Sequence, residues 1–468
     1  MLFNTLRFLF FFLPVVLAVS LRLKGQNLLR WLTLSSFLFY ASAGHAWFLI
    51  PMLVTTVLDF LIAPLIASAR SSRAKRSLLM VSLFGNLGLL GYFKYSGLIS
   101  RSGQELLRLL PFSRHASMGS LALSVALPAG ISFYTFQTLS YVIDVYRGEA
   151  QPERNFWKFA GFVSFFPHLV AGPLTRHDQL IPALEEIAER GITPRWSEGL
   201  LLFAAGLAKK VLIADRIAAL IDPRINDAAS LTLATAWLAL LGYSLQIYFD
   251  FSGYSDMAIG LGRLFAVELP INFDSPYQAL NPSDFWRRWH ITLSRWLRDY
   301  LYIPLGGSRV SPLRTDFNLM ATMVLGGLWH GANWTFAFWG LYHGALLIAF
   351  RRNERIWSAL PARLQQAATF GAVSLGWVFF RSESFGQAAL WMRRLFDFGS
   401  LGGLGLSPGE PLLAAFVAAG LIVAHACPNA VRRDWRTLPT WGQAILGVST
   451  VAAILCMNYS SSFLYFQF

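Results

Sequence analysis

Cysteine and charge are what this chain has least of. Only two of its 468 residues are cysteines, Cys427 and Cys456, and both lie in apolar segments. Neither a disulfide framework nor a cysteine-based metal site is supported, and no metal is expected. Charged residues make up 14% of the chain, against roughly 25% in soluble domains. Acidic residues are especially scarce: 25 Asp and Glu face 39 Lys and Arg, for a net charge of +14. There is no visible repeat, low-complexity linker or soluble catalytic domain. What remains is 55% hydrophobic with a mean hydropathy of +0.48, the composition of a polytopic membrane protein.

Runs long enough to cross a bilayer, at about 20 residues each, lie near 3–21, 47–67, 77–95, 121–146, 199–220, 411–427 and 441–459. Shorter ones cover 31–43 and 367–380, while 231–270 and 318–350 each read as a pair. The pattern predicts an all-α chain of about ten to twelve crossings with re-entrant pieces. The first run has few preceding charges and no small-residue cleavage site, so it reads as a retained helix. The chain is expected to form one integral-membrane domain over 1–468.

Lys and Arg cluster at 22–30, 70–76, 287–314, 351–363 and 432–436. The positive-inside rule makes these clusters cytoplasmic, which puts both termini outside. Topology and contact with lipid headgroups account for most of this charge. It does not call for nucleic-acid binding.

At about 100° per residue, segment 284–301 separates into two faces. Trp286, Trp289, Leu293, Trp296, Leu297, Tyr300 and Leu301 share one side, and Asp284, Arg287, Arg288, Arg295, Arg298 and Asp299 fill the other. Asn281 and Pro282 supply a cap and a first-turn residue. Such a helix would lie along the membrane surface. His290 falls on its apolar side, which the surface reading leaves unexplained. The basic face suits the phosphates of a cytoplasmic cofactor.

His330 sits in Leu325-Gly-Gly-Leu-Trp-His-Gly-Ala-Asn333. An ionisable group at membrane depth is costly and marks a candidate functional site. Gly326, Gly327 and Gly331 around it permit close backbone approach or an interrupted helix. The bland alternative is a hydrogen bond between helices.

Several blocks resemble the membrane-bound O-acyltransferase family, in its bacterial branch that acetylates exopolysaccharides: Leu127–Phe136, Phe166–Pro173, Tyr248–Gly262, Phe285–His290, Leu297–Gly307 and Gly326–Trp334. The similarity covers most of 1–350. Residues 351–462 match less distinctively, and 463–468 form an aromatic tail. The resemblance implies a ring of helices with re-entrant and interfacial pieces around a central tunnel in the bacterial inner membrane. Acetyl-CoA would enter from the cytoplasm, and the acceptor would be a secreted polysaccharide such as alginate or cellulose.

The family's buried histidine maps onto His330 and its second histidine onto His290. Neutral imidazole has a pKa near operating pH, so His330 would take the proton from the acceptor hydroxyl as it attacks the thioester. His290 would orient the donor or share the proton. Asn333, three residues on, is a candidate oxyanion donor, and Arg287, Arg288, Arg295 and Arg298 are candidates for the acetyl-CoA phosphates.

Asp250 and Asp256 are expected to be structural, paired with Lys209 or Lys210, with Gly253 marking a break. His168 is expected to pack in a core. The tail Phe463-Leu-Tyr-Phe-Gln-Phe468 resembles the C-terminal aromatic motif of a small partner in teichoic-acid D-alanylation, which makes Tyr465 a candidate acyl acceptor. No periplasmic Ser-His-Asp-type domain is present, so a separate periplasmic acetyltransferase or acceptor protein is expected to finish the transfer within an exopolysaccharide synthesis complex. A transporter, or a scaffold for a polysaccharide synthase, would share the composition. Neither would need the paired histidines.

Overall fold

The computed structural model describes residues 1–109, 126–403, 410–433, 437, 439–457 and 464. Among them every regular element is helical. The chain packs as two compact units, one formed by residues 1–2 and 12–193, the other by 3–11 and 194–468.

The helix Leu49–Ser68 shows how the first unit is built. Ile50, Val54, Val57, Leu61 and Leu65 form an exposed apolar stripe along it, while Thr55, Thr56 and Asp59 are buried. Polar residues inside and aliphatic residues outside suit a helix surrounded by lipid rather than water. Asp59 accepts hydrogen bonds from Ser82 Oγ (2.6 Å) and Asn86 Nδ2 (2.9 Å), and Asn86 in turn accepts from Thr138. These polar contacts join three helices. Two stretches of this unit, Ala46–Ser68 and Ser72–Leu107, are long and apolar enough to cross a membrane. They coincide with the expected runs at 47–67 and 77–95. His168, in the one-turn helix Phe166–Leu169, is buried as expected.

The second unit is organised by Leu233–Leu264, a continuous helix of 32 residues. The expected pair of crossings at 231–270 and the break at Gly253 are therefore corrected. Gly253 serves close packing instead. A Cβ on Gly206, in the helix Trp196–Ala208, would lie 2.5 Å from the Gly253 carbonyl oxygen. Gly199 and Gly260 repeat the approach seven residues away in each helix, with 2.9 Å to the Gly260 carbonyl oxygen. Small residues at such crossings let two helix backbones touch.

Past Ala208 the backbone widens into a π-helix over Lys209–Ala214, a distortion that re-aims side chains. Lys209 Nζ reaches Asp256 at 2.6 Å, and Lys210 Nζ reaches Asp250 at 2.5 Å and Asp215 at 2.7 Å. The expected pairing of these aspartates with the two lysines is realised.

Helices Pro312–His330 and Trp334–Arg352 form a tight pair in the same unit. A Cβ on Gly327 would collide with the Phe336 carbonyl, and one on Gly340 with the Met323 carbonyl. At the other end of the pair, Asp316 is gripped by Arg351 (2.5 Å) and Arg352. The glycine crossing sets the spacing and the ion pair resists sliding, so the end carrying His330 is held in place. On the helix Thr440–Cys456, Trp441, Ile445, Val448, Val451 and Leu455 form another exposed apolar stripe.

Candidate active site

Local sequence first sets the frame around His290. Asn281 caps the helix Pro282–Arg288 by accepting from the Asp284 N–H at 2.8 Å, with Pro282 in the first turn. The helix then stops. Trp289 is extended, His290 adopts φ 43° and ψ 54°, and a second short helix runs Ile291–Leu297 before a π-turn at Arg298–Tyr302. The continuous helix expected over 284–301 is thus corrected to two short helices joined at the histidine. The left-handed region is uncommon for a residue with a side chain, and such strain persists only where its surroundings impose it.

Those surroundings are identifiable. The Asn272 backbone carbonyl accepts from the Ile291 N–H at 2.9 Å. Its side-chain oxygen lies 3.1 Å from His290 Nδ1 and also accepts from the Thr292 hydroxyl (2.9 Å) and the Thr292 N–H (3.3 Å). A backbone N–H can only donate, so the Asn272 atom at this point is the oxygen, and His290 Nδ1 carries the proton. The basic lone pair of the neutral ring is then on Nε2. Phe251 packs edge-on against the ring at 4.8 Å, and His290 is 0% exposed.

His330 ends the helix Pro312–His330, where Gly331 leaves the helical path in an extended conformation. Its ring is 6.2 Å from that of His290 and is boxed by Trp329 (5.0 Å), Trp339 (5.3 Å) and Phe380 (5.3 Å). It is 4% exposed, yet it borders a cavity of about 110 Å3 lined by Trp286, Leu293, Leu297, Met323 and Trp339. Water's share of liquid volume is about 30 Å3, so the space holds a small group beside the imidazole. Trp286, Leu293 and Leu297 come from the apolar face read in the sequence, which therefore survives the break at His290.

Residues 149–379 match the profile of the MBOAT, membrane-bound O-acyltransferase family. The protein named probable alginate O-acetylase AlgI in Pseudomonas aeruginosa is 42% identical over 415 residues, 86% of this chain and 76% of that protein. This chain belongs to the membrane-bound O-acyltransferase family. The peptidoglycan O-acetyltransferase of Helicobacter pylori is 40% identical over 430 residues, 83% of this chain and 78% of that protein. The teichoic acid D-alanyltransferase of Bacillus subtilis is more distant, at 26% over 280 residues, 55% of this chain and 69% of that protein. The chain is a membrane-bound acyltransferase, as its motifs implied.

In this acyltransferase the other expected site residues divide. Asn333 does not sit one helical turn beyond His330, because the helix has ended. It caps Trp334–Arg352 instead, accepting from the Thr335 N–H at 3.3 Å and donating to the Glu383 carbonyl at 2.7 Å. Arg288 is bound to Asp284 at 3.1 Å and to the Asp274 carbonyl, where it braces the segment that carries His290. Arg287, Arg295 and Arg298 are exposed, with Arg298 against Asp299 at 2.7 Å. Tyr465 lies outside the described residues.

Two site residues escaped the sequence reading. Asn272 sits in a loop, where no periodicity marks it. His343 is buried one helical turn after Trp339, its ring 4.8 Å from Trp339 and 5.2 Å from Trp286. Both of its nitrogens lack a hydrogen-bond partner among the described residues. The available signal was the i, i+4 spacing from Trp339, which places the imidazole behind the wall of the His330 cavity.

Proposed function

We propose that this protein transfers acetyl from cytoplasmic acetyl-CoA towards the hydroxyls of a polysaccharide outside the cell, with His330 as the base. The observation that carries this reading is the position of His330: a buried imidazole on the wall of a small cavity, with the oriented His290 ring 6.2 Å away. A hydroxyl oxygen attacks the thioester carbonyl, its proton passes to the imidazole, the C–S bond breaks, and the proton leaves with the CoA thiolate. The relatives act on alginate in one case and on peptidoglycan in another by their names, so the acceptor belongs to the secreted or envelope polysaccharides, with cellulose a further member of that class.

The setting is the bacterial inner membrane, with about ten to twelve crossings around a tunnel, enough to bury both histidines in a bilayer about 30 Å thick. Both termini face the periplasm. Arg287, Arg295 and Arg298 meet the CoA phosphates from the cytoplasmic side, since exposed guanidinium groups match phosphate geometry. Tyr465 takes the acetyl first, with His330 removing its phenolic proton. A periplasmic acetyltransferase of the synthesis complex then moves it to sugar.

The deciding experiment measures O-acetyl content by NMR in separated exopolysaccharide and peptidoglycan fractions of a deletion strain carrying wild type, His330→Ala or Tyr465→Phe at matched protein levels. Wild type alone should restore acetyl, and the restored fraction names the acceptor. Restoration by His330→Ala would end the catalytic reading. Restoration by Tyr465→Phe would end the relay while leaving direct transfer in place.

A further inference from the structure

Lys210, Asp215 and Asp250 form a buried cluster in which one ammonium faces two carboxylates. Lys210 Nζ lies 2.7 Å from Asp215 and 2.5 Å from Asp250 Oδ1, and all three side chains are 0–3% exposed. The neighbouring Lys209–Asp256 pair is balanced one to one. A buried carboxylate in excess of its counter-ions is tolerated only when further donors reach its oxygens.

Asp250 has such a donor. Its second oxygen, Oδ2, accepts a 2.8 Å hydrogen bond from the backbone N–H of Leu464, 214 residues away in the chain and itself 3% exposed. Leu464 belongs to the terminal aromatic stretch and directly precedes Tyr465. Asp250 projects from the middle of the long buried helix, braced by a lysine that the π-turn delivers. A backbone donor reads the position of the chain rather than the identity of a side chain.

We propose that Asp250, held by Lys210, is the docking point for Leu464, the residue that precedes Tyr465 in the chain. Asp250 is a positioning residue. The docking stands on the hydrogen bond alone, whereas its consequence for acyl transfer rests on the Tyr465 relay proposed above.

The test uses the full chain in detergent with Cys427→Ser, Cys456→Ser and Leu464→Cys, so that the reporter is the single thiol. Maleimide labelling of residue 464 should be slow, and Asp250→Asn should speed it about fivefold or more, as expected when the charged acceptor of a hydrogen bond becomes a neutral amide oxygen. Asp215→Asn also removes a partner of Lys210 but leaves the tail's acceptor, so its rate should stay within about twofold of the parent. Equal acceleration by the two variants, or none with Asp250→Asn, would overturn the proposal. Should Asp250→Asn fail to elute as folded protein, Asp250→Glu keeps the charge while displacing the acceptor, and the same acceleration is expected. Tyr465→Phe should leave labelling unchanged. Undiminished acetyl transfer by Tyr465→Phe with position 464 still protected would then count against the relay and not against docking.

Discussion

The rings of His290 and His330 lie 6.2 Å apart with their planes at 62°. One histidine ends a long helix and the other occupies a left-handed break between two short ones. Neither helix alone would present both imidazoles to one place. The pairing depends on the glycine crossing behind His330 and on the Asn272 loop behind His290.

If His330 is the base, His330→Ala in purified protein should lower acetyl transfer by about 10²–10⁴-fold, the usual contribution of a positioned general base. Detergent-solubilised yield should not change. If the histidines act as a unit, adding His290→Ala will cost less than the product of the single effects. Multiplicative losses in a double-variant kinetic cycle would show independent roles.

Asn272→Ala leaves three donors without their acceptor: the His290 ring, the Thr292 hydroxyl and the Thr292 N–H. At about 1–3 kcal/mol for each buried group so exposed, the preference for the active ring orientation should collapse. A fall in kcat of about tenfold or more is expected, given that 1.4 kcal/mol is tenfold. Asn272→Asp keeps an acceptor and should retain more activity, which steady-state kinetics on the two variants will resolve.

Gly327→Val should fail to place His330, because even a Cβ there collides with the Phe336 carbonyl. Overpacking costs about 1–3 kcal/mol where neighbours can yield, and a backbone carbonyl yields little. A lowered melting temperature in detergent, with activity lost at the same time, is the expected result. Gly371 has open space beside it, so Gly371→Ala makes the matched control.

The arginines should separate by role. Arg298→Ala is expected to raise the KM for the acyl-CoA donor with little change in melting temperature, and the effect should fade at high salt as screening weakens surface charge. Arg288→Ala should instead lower stability and kcat, since Arg288 ties the His290 segment to Asp284 and the Asp274 carbonyl. Donor titrations at two salt concentrations, beside melting curves, separate the outcomes.

Much of this protein is determined one residue at a time. Scarce charge and long apolar runs require a membrane, and the intramembrane cost of an ionisable group singles out His330 without any fold in hand. The apolar face of 284–301 was legible because helical periodicity is local, and its tryptophan and leucines do line the cavity. The Lys209 and Lys210 pairing with Asp256 and Asp250 was legible because buried carboxylates need cations.

What only the tertiary structure decided lies between distant segments. Periodicity gives no sign that the helix stops at His290, since the cause is Asn272, in a loop 18 residues earlier. Gly253 reads as a break by itself and as a contact only once Gly206 stands opposite. Asn333 lost its expected helical relation to His330 because Gly331 turns the backbone away. Hydrogen bonds and close crossings are properties of pairs, and which pairs meet is set by packing.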